Sequence, residues 1–388
     1  MSDYEFLNFL ITHNSANGDA PSPAVTELNY LQPFIDKIED YYCCIIRTSI
    51  PALSLPLWIP SFVVGSNYSS NTTIYSFTLK YLNFTSGQFF IDFVPTNLNA
   101  SPFTGTVTTS FLGGNEYYYI YDFWSILKMF NSALNLALGI LINDCNAGGN
   151  HDIDGADAPY FIWDSARNSA AFSCTKVNYD EHAANRIIIY YNNQMLGLLN
   201  GFNAQTIANN APDGAENLLL IENMYNNTDP ADNTRYLTYP VVPFDPSYYN
   251  CVNSIALVSS LSVNGEIISA INQNFGGTSL DPKQQQTNTT LNILTDFVLD
   301  LSSVQNVNSV FIYNKIDNFR FLDIATTGSQ RSLTLQLMFQ TIDGSYHPLL
   351  LYPNTTANVK IGFIKKSITN SRSDEIINEL KKMNLSKK

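Results

Sequence analysis

The residues whose types and spacing come nearest to chemistry lie in Asn150-His151-Asp152-Ile153-Asp154-Gly155, followed by Asp157. Asn150, Asp152, Asp154 and Gly155 match positions 1, 3, 5 and 6 of a calcium loop, where alternate oxygen ligands surround one ion and glycine makes the sharp turn. Position 12 needs a bidentate carboxylate and is Phe161 here. The match fails at its strongest ligand, so Asp152 and Asp154 are expected on a solvated loop. The four histidines, His13, His151, His182 and His347, show none of the spacings that build a zinc site. Glu116, beside Tyr117-Tyr118-Tyr119, and Asp122 form the best carboxylate pair for glycosidase-type acid–base work. Edge and helix-cap roles account for both residues with fewer demands. No GxSxG, GxGxxG or Walker A pattern occurs. No catalytic, cofactor-binding or metal-binding residue is assigned, and the chain reads as a non-enzyme.

The elements around these positions are mostly extended. Alternating or continuous apolar patterns predict strands at Tyr41–Ile50, Thr73–Tyr81 and Gln88–Val94. A mixed stretch follows. It has a short aromatic strand at Tyr117–Tyr121 and a helix capped by Asp122 that runs through Phe123, Leu127, Phe130, Leu134 and Leu138. Next come a hairpin of Tyr160–Trp163 with Ala170–Thr175, a strand at Arg186–Tyr191 and a short helix at Asn193–Phe202. The β pattern resumes at Ser254–Ser259, Leu291–Asp300, Val310–Asp317, Leu333–Thr341 and Val359–Lys365. Asp343-Gly344 marks a hairpin turn into His347–Leu351. Three strands before the mixed stretch and five after it predict a mainly β fold: a single eight-stranded antiparallel jelly roll with a mixed α/β insertion domain between its third and fourth strands. The expected boundaries are an N-terminal arm at 1–25, a jelly-roll domain at 26–96 and 251–366, an insertion at 97–250 and a basic C-terminal tail at 367–388.

Composition narrows the function classes. Of 388 residues, 45% are hydrophobic and 14% charged, enough for a core and too little charge for a disordered chain. A net charge of −13 argues against a surface devoted to nucleic acid. The exception is the tail: Lys365, Lys366, Arg372, Lys381, Lys382, Lys387 and Lys388 against Asp374, Glu375 and Glu379. It is a candidate for contact with acidic partners, packaged nucleic acid included. Within it, Ser373–Leu385 sets Ile376, Ile377, Leu380 and Met383 on one helical side. Five cysteines, an odd count with no CxxC and with Cys43 next to Cys44, predict free buried thiols in a reducing compartment. Met1-Ser2-Asp3-Tyr4-Glu5 has no basic leader region. No membrane span is expected: the most apolar run, Phe123 to Ile142, carries Lys128, Asn131 and Asn135 and reads as a core helix.

A family resemblance is spread over roughly residues 45–366. It is carried by Ser49-Ile50-Pro51 with Leu57-Trp58-Ile59-Pro60, by Tyr75-Ser76-Phe77-Thr78-Leu79, and by Tyr117-Tyr118-Tyr119-Ile120-Tyr121 leading to Phe130-Asn131-Ser132-Ala133-Leu134. Ile189-Tyr190-Tyr191-Asn192, Leu294-Thr295-Asp296-Phe297, Asn318-Phe319-Arg320-Phe321-Leu322-Asp323-Ile324 and the closing Val359-Lys360-Ile361-Gly362-Phe363-Ile364-Lys365-Lys366 continue it. The chain resembles the minor capsid, or penton, proteins of virophages and polinton-like viruses, above all those of the Sputnik type. The resemblance implies a jelly roll upright in a capsid shell with an outward insertion. Five copies would ring each icosahedral fivefold vertex among trimeric major capsid proteins, in a virion assembled from protein made in the host cytoplasm. Residues 51–60 and the two terminal arms are where contacts beyond the protomer are expected. The alternative is a host-attachment or carbohydrate-binding jelly roll, with 97–250 facing a host-cell or giant-virus surface.

Overall fold

The structure is a computed structural model that describes residues 4–369 apart from 19, 66, 69–73, 99, 108–114, 165–166, 168, 200, 208–213, 222–227, 241–250, 265–268, 273–286, 291, 299–309, 314–319 and 342–343. The chain divides into two compact units, Met1–Pro56 with Cys251–Lys388, and Leu57–Asn250. In chain order the principal elements are β1 (Tyr4–Thr12), β2 (Val25–Asn29), β3 (Tyr41–Pro51), β4 (Ser76–Tyr81), α1 (Phe123–Ala147), β5 (Tyr160–Asp164), β6 (Ser169–Thr175), β7 (Ile187–Tyr191), α2 (Asn193–Leu199), β8 (Asn217–Leu219) and β9 (Arg235–Thr238). There follow β10 (Val252–Ser259), β11 (Ile293–Phe297), β12 (Val310–Tyr313), β13 (Leu322–Ile324), β14 (Ser332–Thr341), β15 (Tyr346–Pro348), β16 (Thr356–Lys365) and α3 (Lys366–Thr369).

The first unit is built on two sheets. In one, β16 lies between β1 and β3, antiparallel to both, and β12 and β13 pair with opposite ends of β3. In the other, β14 lies between β10 on one side and β15 and β2 on the other, and β11 pairs with β10. Period-two alternation decides which face is dry. Leu7, Phe9 and Ile11 of β1 stand opposite Ile361, Val359 and Ala357 of β16, and all six are buried. Leu333, Leu335, Leu337 and Phe339 form the buried side of β14. Stacking of Phe297 on Tyr313, 4.3 Å between centroids, joins β11 of one sheet to β12 of the other. Where β16 pairs with β3, Lys360 faces Arg47 and Ile361 faces Ile45. Ile46 is therefore the extra residue of a β-bulge.

Two sequence expectations are corrected here. Residues 1–25 were expected to form an arm, yet Tyr4–Thr12 is a nine-residue strand with a full register on β16. The polar, proline-containing stretch behind it dilutes an alternation that is clear within Leu7, Phe9 and Ile11 alone. The boundary falls at Leu57, not 97. Among the described residues, β1, Ser22–Pro23, β2 and β3 are the strands of the first unit that precede the inserted one, so only Tyr41–Ile50 of the three expected strands belongs to it. The strands expected at Thr73–Tyr81 and Gln88–Val94 are β4 (Ser76–Tyr81) and Phe89–Phe90, and they go to the second unit, where β4 pairs with β7 and with Phe89–Phe90. The expected basic tail lies outside the described residues beyond Thr369.

The second unit gathers α1 against β4 and β5 around aromatic rings. Phe161 meets Phe130 at 5.9 Å, Phe172 at 4.9 Å and Phe202 at 5.6 Å, centroid to centroid, and Phe77 meets Phe130 at 6.1 Å. α1 starts where Asp122 Oδ1 accepts the Ser125 N–H at 2.7 Å. It runs eight residues past Gly139, to Ala147, because Ile126, Phe130, Leu134, Leu138, Leu141 and Cys145 continue one buried stripe. α1 is long and apolar enough to cross a membrane by length and composition, but that stripe is buried in this core. Asn131, polar in an apolar helix, accepts the Phe161 N–H at 2.6 Å and donates to the Phe161 carbonyl at 2.8 Å, acting as a strand partner for β5. Tyr117–Tyr121 is not a strand: Glu116–Tyr118 is a 3₁₀ turn and Ile120 bridges Trp58. Buried tyrosines there pack as rings (Phe62–Tyr118, 4.7 Å), so their β propensity is overridden by burial. Phe161→Ala should cost about 3–5 kcal/mol in urea unfolding monitored by circular dichroism. A loss within about 0.5 kcal/mol would remove Phe161 from the centre of this core.

Candidate functional site

Each position that looked chemical in the sequence has a structural role. In the acidic loop, Asp152 N–H donates to Asn150 Oδ1 at 3.0 Å, and Asn150 Nδ2 donates to Asp152 Oδ2 at 3.1 Å. Tyr81 Oη donates to the same Oδ2 at 3.4 Å. His151 Nδ1 lies 3.0 Å from Asp154 Oδ2 at the surface. Asp157 is 3.6 Å from Arg235, a buried cation that also donates to Ser173 Oγ and lies 4.7 Å over the Tyr160 ring. Phe161, at the position where a calcium loop needs its carboxylate, is the middle of the aromatic core. Among the described residues no three of His, Cys, Asp and Glu come together as metal ligands. Arg235 is a residue that sequence reading missed. Nothing in Thr234-Arg235-Tyr236 signals burial of the guanidinium; a cationic residue within a strand is the only hint.

Glu116 and Asp122 do not behave as an acid–base pair. Asp122 caps α1 and also accepts from Ser125 Oγ at 2.9 Å. Glu116 Oε1 accepts from Asn97 Nδ2 at 2.8 Å. Burial holds the Glu116 carboxyl above its ordinary value, and the Asn97 hydrogen bond pulls it back.

Of the histidines, His13 Nε2 is 2.7 Å from the Ala20 carbonyl and helps fold the turn after β1. His182 lies in an exposed turn held by its own N–H on Asp180 Oδ1. His347 is fully buried on β15. Its Nε2 lies 2.7 Å from Ser345 Oγ, which lies 2.7 Å from Thr341 Oγ1. A serine–imidazole contact has the shape of an activated nucleophile, but Ser345 and His347 are both out of reach of any substrate. The trio locks the β14–β15 hairpin, with Gly344 at φ +83° in its turn. His347→Ala, which removes the imidazole contact of the buried Ser345 hydroxyl and opens a cavity, should lower unfolding free energy by about 2–4 kcal/mol in urea titration. An unchanged midpoint would deny the lock.

The cysteines are free and buried, all five of them. Burial pushes the Cys44 and Cys174 thiols up to about 12, and Cys43 and Cys251 upward as well. None of these four offers a thiolate at neutral pH. For Cys44 and Cys174 the folded value lies above the unfolded one, 9.0. Their contribution is therefore complete below pH about 9 and lost as pH rises toward about 12. Urea midpoints should fall across that window, and Cys174→Ala should flatten the slope; an identical slope would discount the thiol.

Residues 51–60 were expected to reach beyond the protomer. Most of that stretch is instead buried inside the chain: Ser54, Leu55 and Pro56 in the first unit, Trp58, Ile59 and Pro60 in the second. The Ile120 carbonyl accepts from both Leu57 and Trp58 N–H, at 2.7 and 3.1 Å. Prolines suit this stretch because Pro51, Pro56 and Pro60, each buried, have no N–H to satisfy.

The chain is mainly β, and the acids, histidines and thiols described above are held in contacts within the fold. A family model described as Sputnik minor capsid protein V18/19 matches residues 5–365, and the chain belongs to that family. It is a structural capsid protein of the virophage type, penton-like in fold, and a component of the virion. It is 36% identical over 150 residues to "Uncharacterized protein V18" of Sputnik virophage, covering 38% of this chain and 84% of that one. A chain in the cryo-EM structure of the Sputnik virophage superposes with a TM-score of 0.77 at 26% identity, covering 95% of this chain and 99% of the other. The mavirus penton protein shares the fold, with a TM-score of 0.57, 15% identity and coverage of 93% and 99%.

Proposed function

We propose that five copies of this chain close a ring at each icosahedral fivefold vertex, each copy contributing one eight-stranded jelly roll to the shell, with trimers of the major capsid protein as neighbours. The observation that carries the reading is the likeness of nearly the whole chain to a penton protein, within a family of minor capsid proteins. Physical features support it. A ring of identical copies needs a heterologous contact, one patch meeting a different patch on the next copy. Low charge limits repulsion between packed copies. Leu31 is 99% exposed just after β2, beside the half-exposed Tyr30, an apolar pair suited to a neighbour. The protein acts without catalysis. Residues 57–250, inserted between Pro56 and Cys251, are the part available to a host-cell or giant-virus surface.

A second reading, attachment, is favoured by the outer side of α1. There Leu136 and Ile140, four residues apart, are exposed, and Trp124 is exposed in the first turn. A glycan array probed with the full chain separates the two: specific binding lost in Trp124→Ala supports attachment, and no binding leaves assembly alone.

The test of the leading reading is the native mass of the purified protein, where a pentamer of the 43.4 kDa chain is expected. Leu31→Asp should shift that mass to the monomer without altering the circular dichroism spectrum. A wild-type chain that stays monomeric, alone and with major capsid protein, would overturn the proposal.

A further inference from the structure

The first unit presents two outer sheet faces that carry opposite charge. On the sheet of β1, β16 and β3, cross-strand register puts Asn8, Lys360 and Arg47 in one row. Leu10, Asn358 and Ser49 form the next, with Ile312 of β12 beside Ser49. Leu10 is 60% exposed and Ile312 65%, and Val310, one row further, is 53% exposed. The charged residues of these rows are two cations, Arg47 and Lys360. No hydrogen bond among the described residues holds Arg47 Nε or Asn358 Oδ1, so either side chain can turn to a neighbour without breaking one at that atom. The other end of this face is filled already: Phe321 and Ile368 pack with Tyr4 and Phe6 on Cys44, Ile46 and Ile364.

The second face lies on the sheet of β14, at its β2 edge. Register places Val25 beside Gln336, Glu27 beside Thr334 and Asn29 beside Ser332, on the side away from the buried Leu333, Leu335 and Leu337. Val25, Glu27 and Asn29 are exposed, and Glu27 is the charge in these rows. The chain leaves β2 through the half-exposed Tyr30 and the fully exposed Leu31. Tyr30 is held in place there: its N–H donates to the Arg331 carbonyl at 2.9 Å, and its ring meets Phe34 edge-on at 5.8 Å.

We infer that these two faces are the two halves of one seam between neighbouring copies, an inference that rests on the ring reading above. Tyr30 and Leu31 of one copy pack on Leu10, Ile312 and Val310 of the next, and Glu27 faces Lys360 and Arg47. The charges select a second copy as the occupant. Each face has an apolar centre with charge of one sign, so unlike faces attract while like faces bring like charges together. A ring needs that asymmetry, because a self-complementary patch would close a two-fold dimer instead. The two faces belong to different sheets, so one copy can use both at once. The Asn29 amide also offers the donor and the acceptor that Asn358 Oδ1 and Arg47 Nε lack.

The test is the native mass and cross-linking of the full chain. Glu27→Lys and Lys360→Glu should each raise the concentration needed for assembly about tenfold. Both in one chain should restore it, since the pair re-forms with its signs exchanged; that restoration separates a lost contact from a misfolded variant. Leu10→Cys with Leu31→Cys, treated with a short bis-maleimide, should give a ladder of linked chains, because the five native thiols are buried. Either cysteine alone should give none. Cross-links from Leu10→Cys alone would overturn the inference, by making the contact self-complementary. So would a doubly reversed chain that assembles worse than either single variant. A Leu10→Cys thiol that maleimide cannot reach in the dissociated Glu27→Lys chain would overturn it too, by assigning the cover to the chain itself. An oligomer of unchanged mass in both charge variants, with no ladder, would sink this seam and leave the ring reading standing. A wild-type chain that stays monomeric, alone and with major capsid protein, would remove both.

Discussion

Everything in the first unit depends on one strand being in place. β16, near the end of the chain, lies between β1, near its start, and β3, with continuous register on both sides. Until β16 arrives, both neighbours present unpaired backbone edges, and Leu7, Phe9 and Ile11 have no partners for burial. The contact must also close a chain path that includes all of Leu57–Asn250. That is thermodynamically tolerable, because closure entropy grows only with the logarithm of loop length. Kinetically it is demanding, since pairings this distant in sequence form late. The family match from residue 5 to residue 365 begins and ends within these two strands, β1 and β16.

Polar side chains in the second unit do the work of backbone. Asn131 pairs with both backbone groups of Phe161, and Asn192 accepts from Ser76 N–H while donating to the Ile74 carbonyl. In both cases a side-chain amide supplies the donor and acceptor a missing strand would have supplied. Arg235 similarly ties Ser173, Ala158 and Asp157 to β9. The abundant asparagine of the sequence thus has, at two positions at least, a specific mechanical use. Asp122, Glu116, Asp152 and Asp157 likewise each hold a hydrogen bond or ion pair within the fold.

The candidate site was legible mainly through what failed. Phe161 in place of a ligand carboxylate marks the acidic loop as structural, and its buried ring gives the physical reason. Asp122 as a helix cap could be read from its place before Phe123-Trp124-Ser125. Ser345 and His347 could not be paired from sequence, because their contact depends on the turn at Gly344 and on burial against Phe339. The exposed ends of the sheet, Leu10 and Ile312, could not be placed in one row either; they are some 300 residues apart, and only β3 and β16 bring them together.

By itself the sequence determined the local alphabet of this protein. Alternation at Leu333–Phe339, Ile187–Tyr191 and Val359–Phe363 specifies a strand and its dry face, and the apolar stripe from Ile126 to Leu138 specifies a helix, because both signals are periodicities of a single segment. The tertiary structure decided which strands share a sheet. Tyr41–Pro51 and Ser76–Tyr81 look alike as strings, yet one joins β16 and the other joins β7 in a different unit. Tyr4–Thr12, diluted by its polar surroundings, became a strand only because β16 offered it an edge. Alternation says which way side chains point; the partner is chosen by long-range burial, which no single segment encodes.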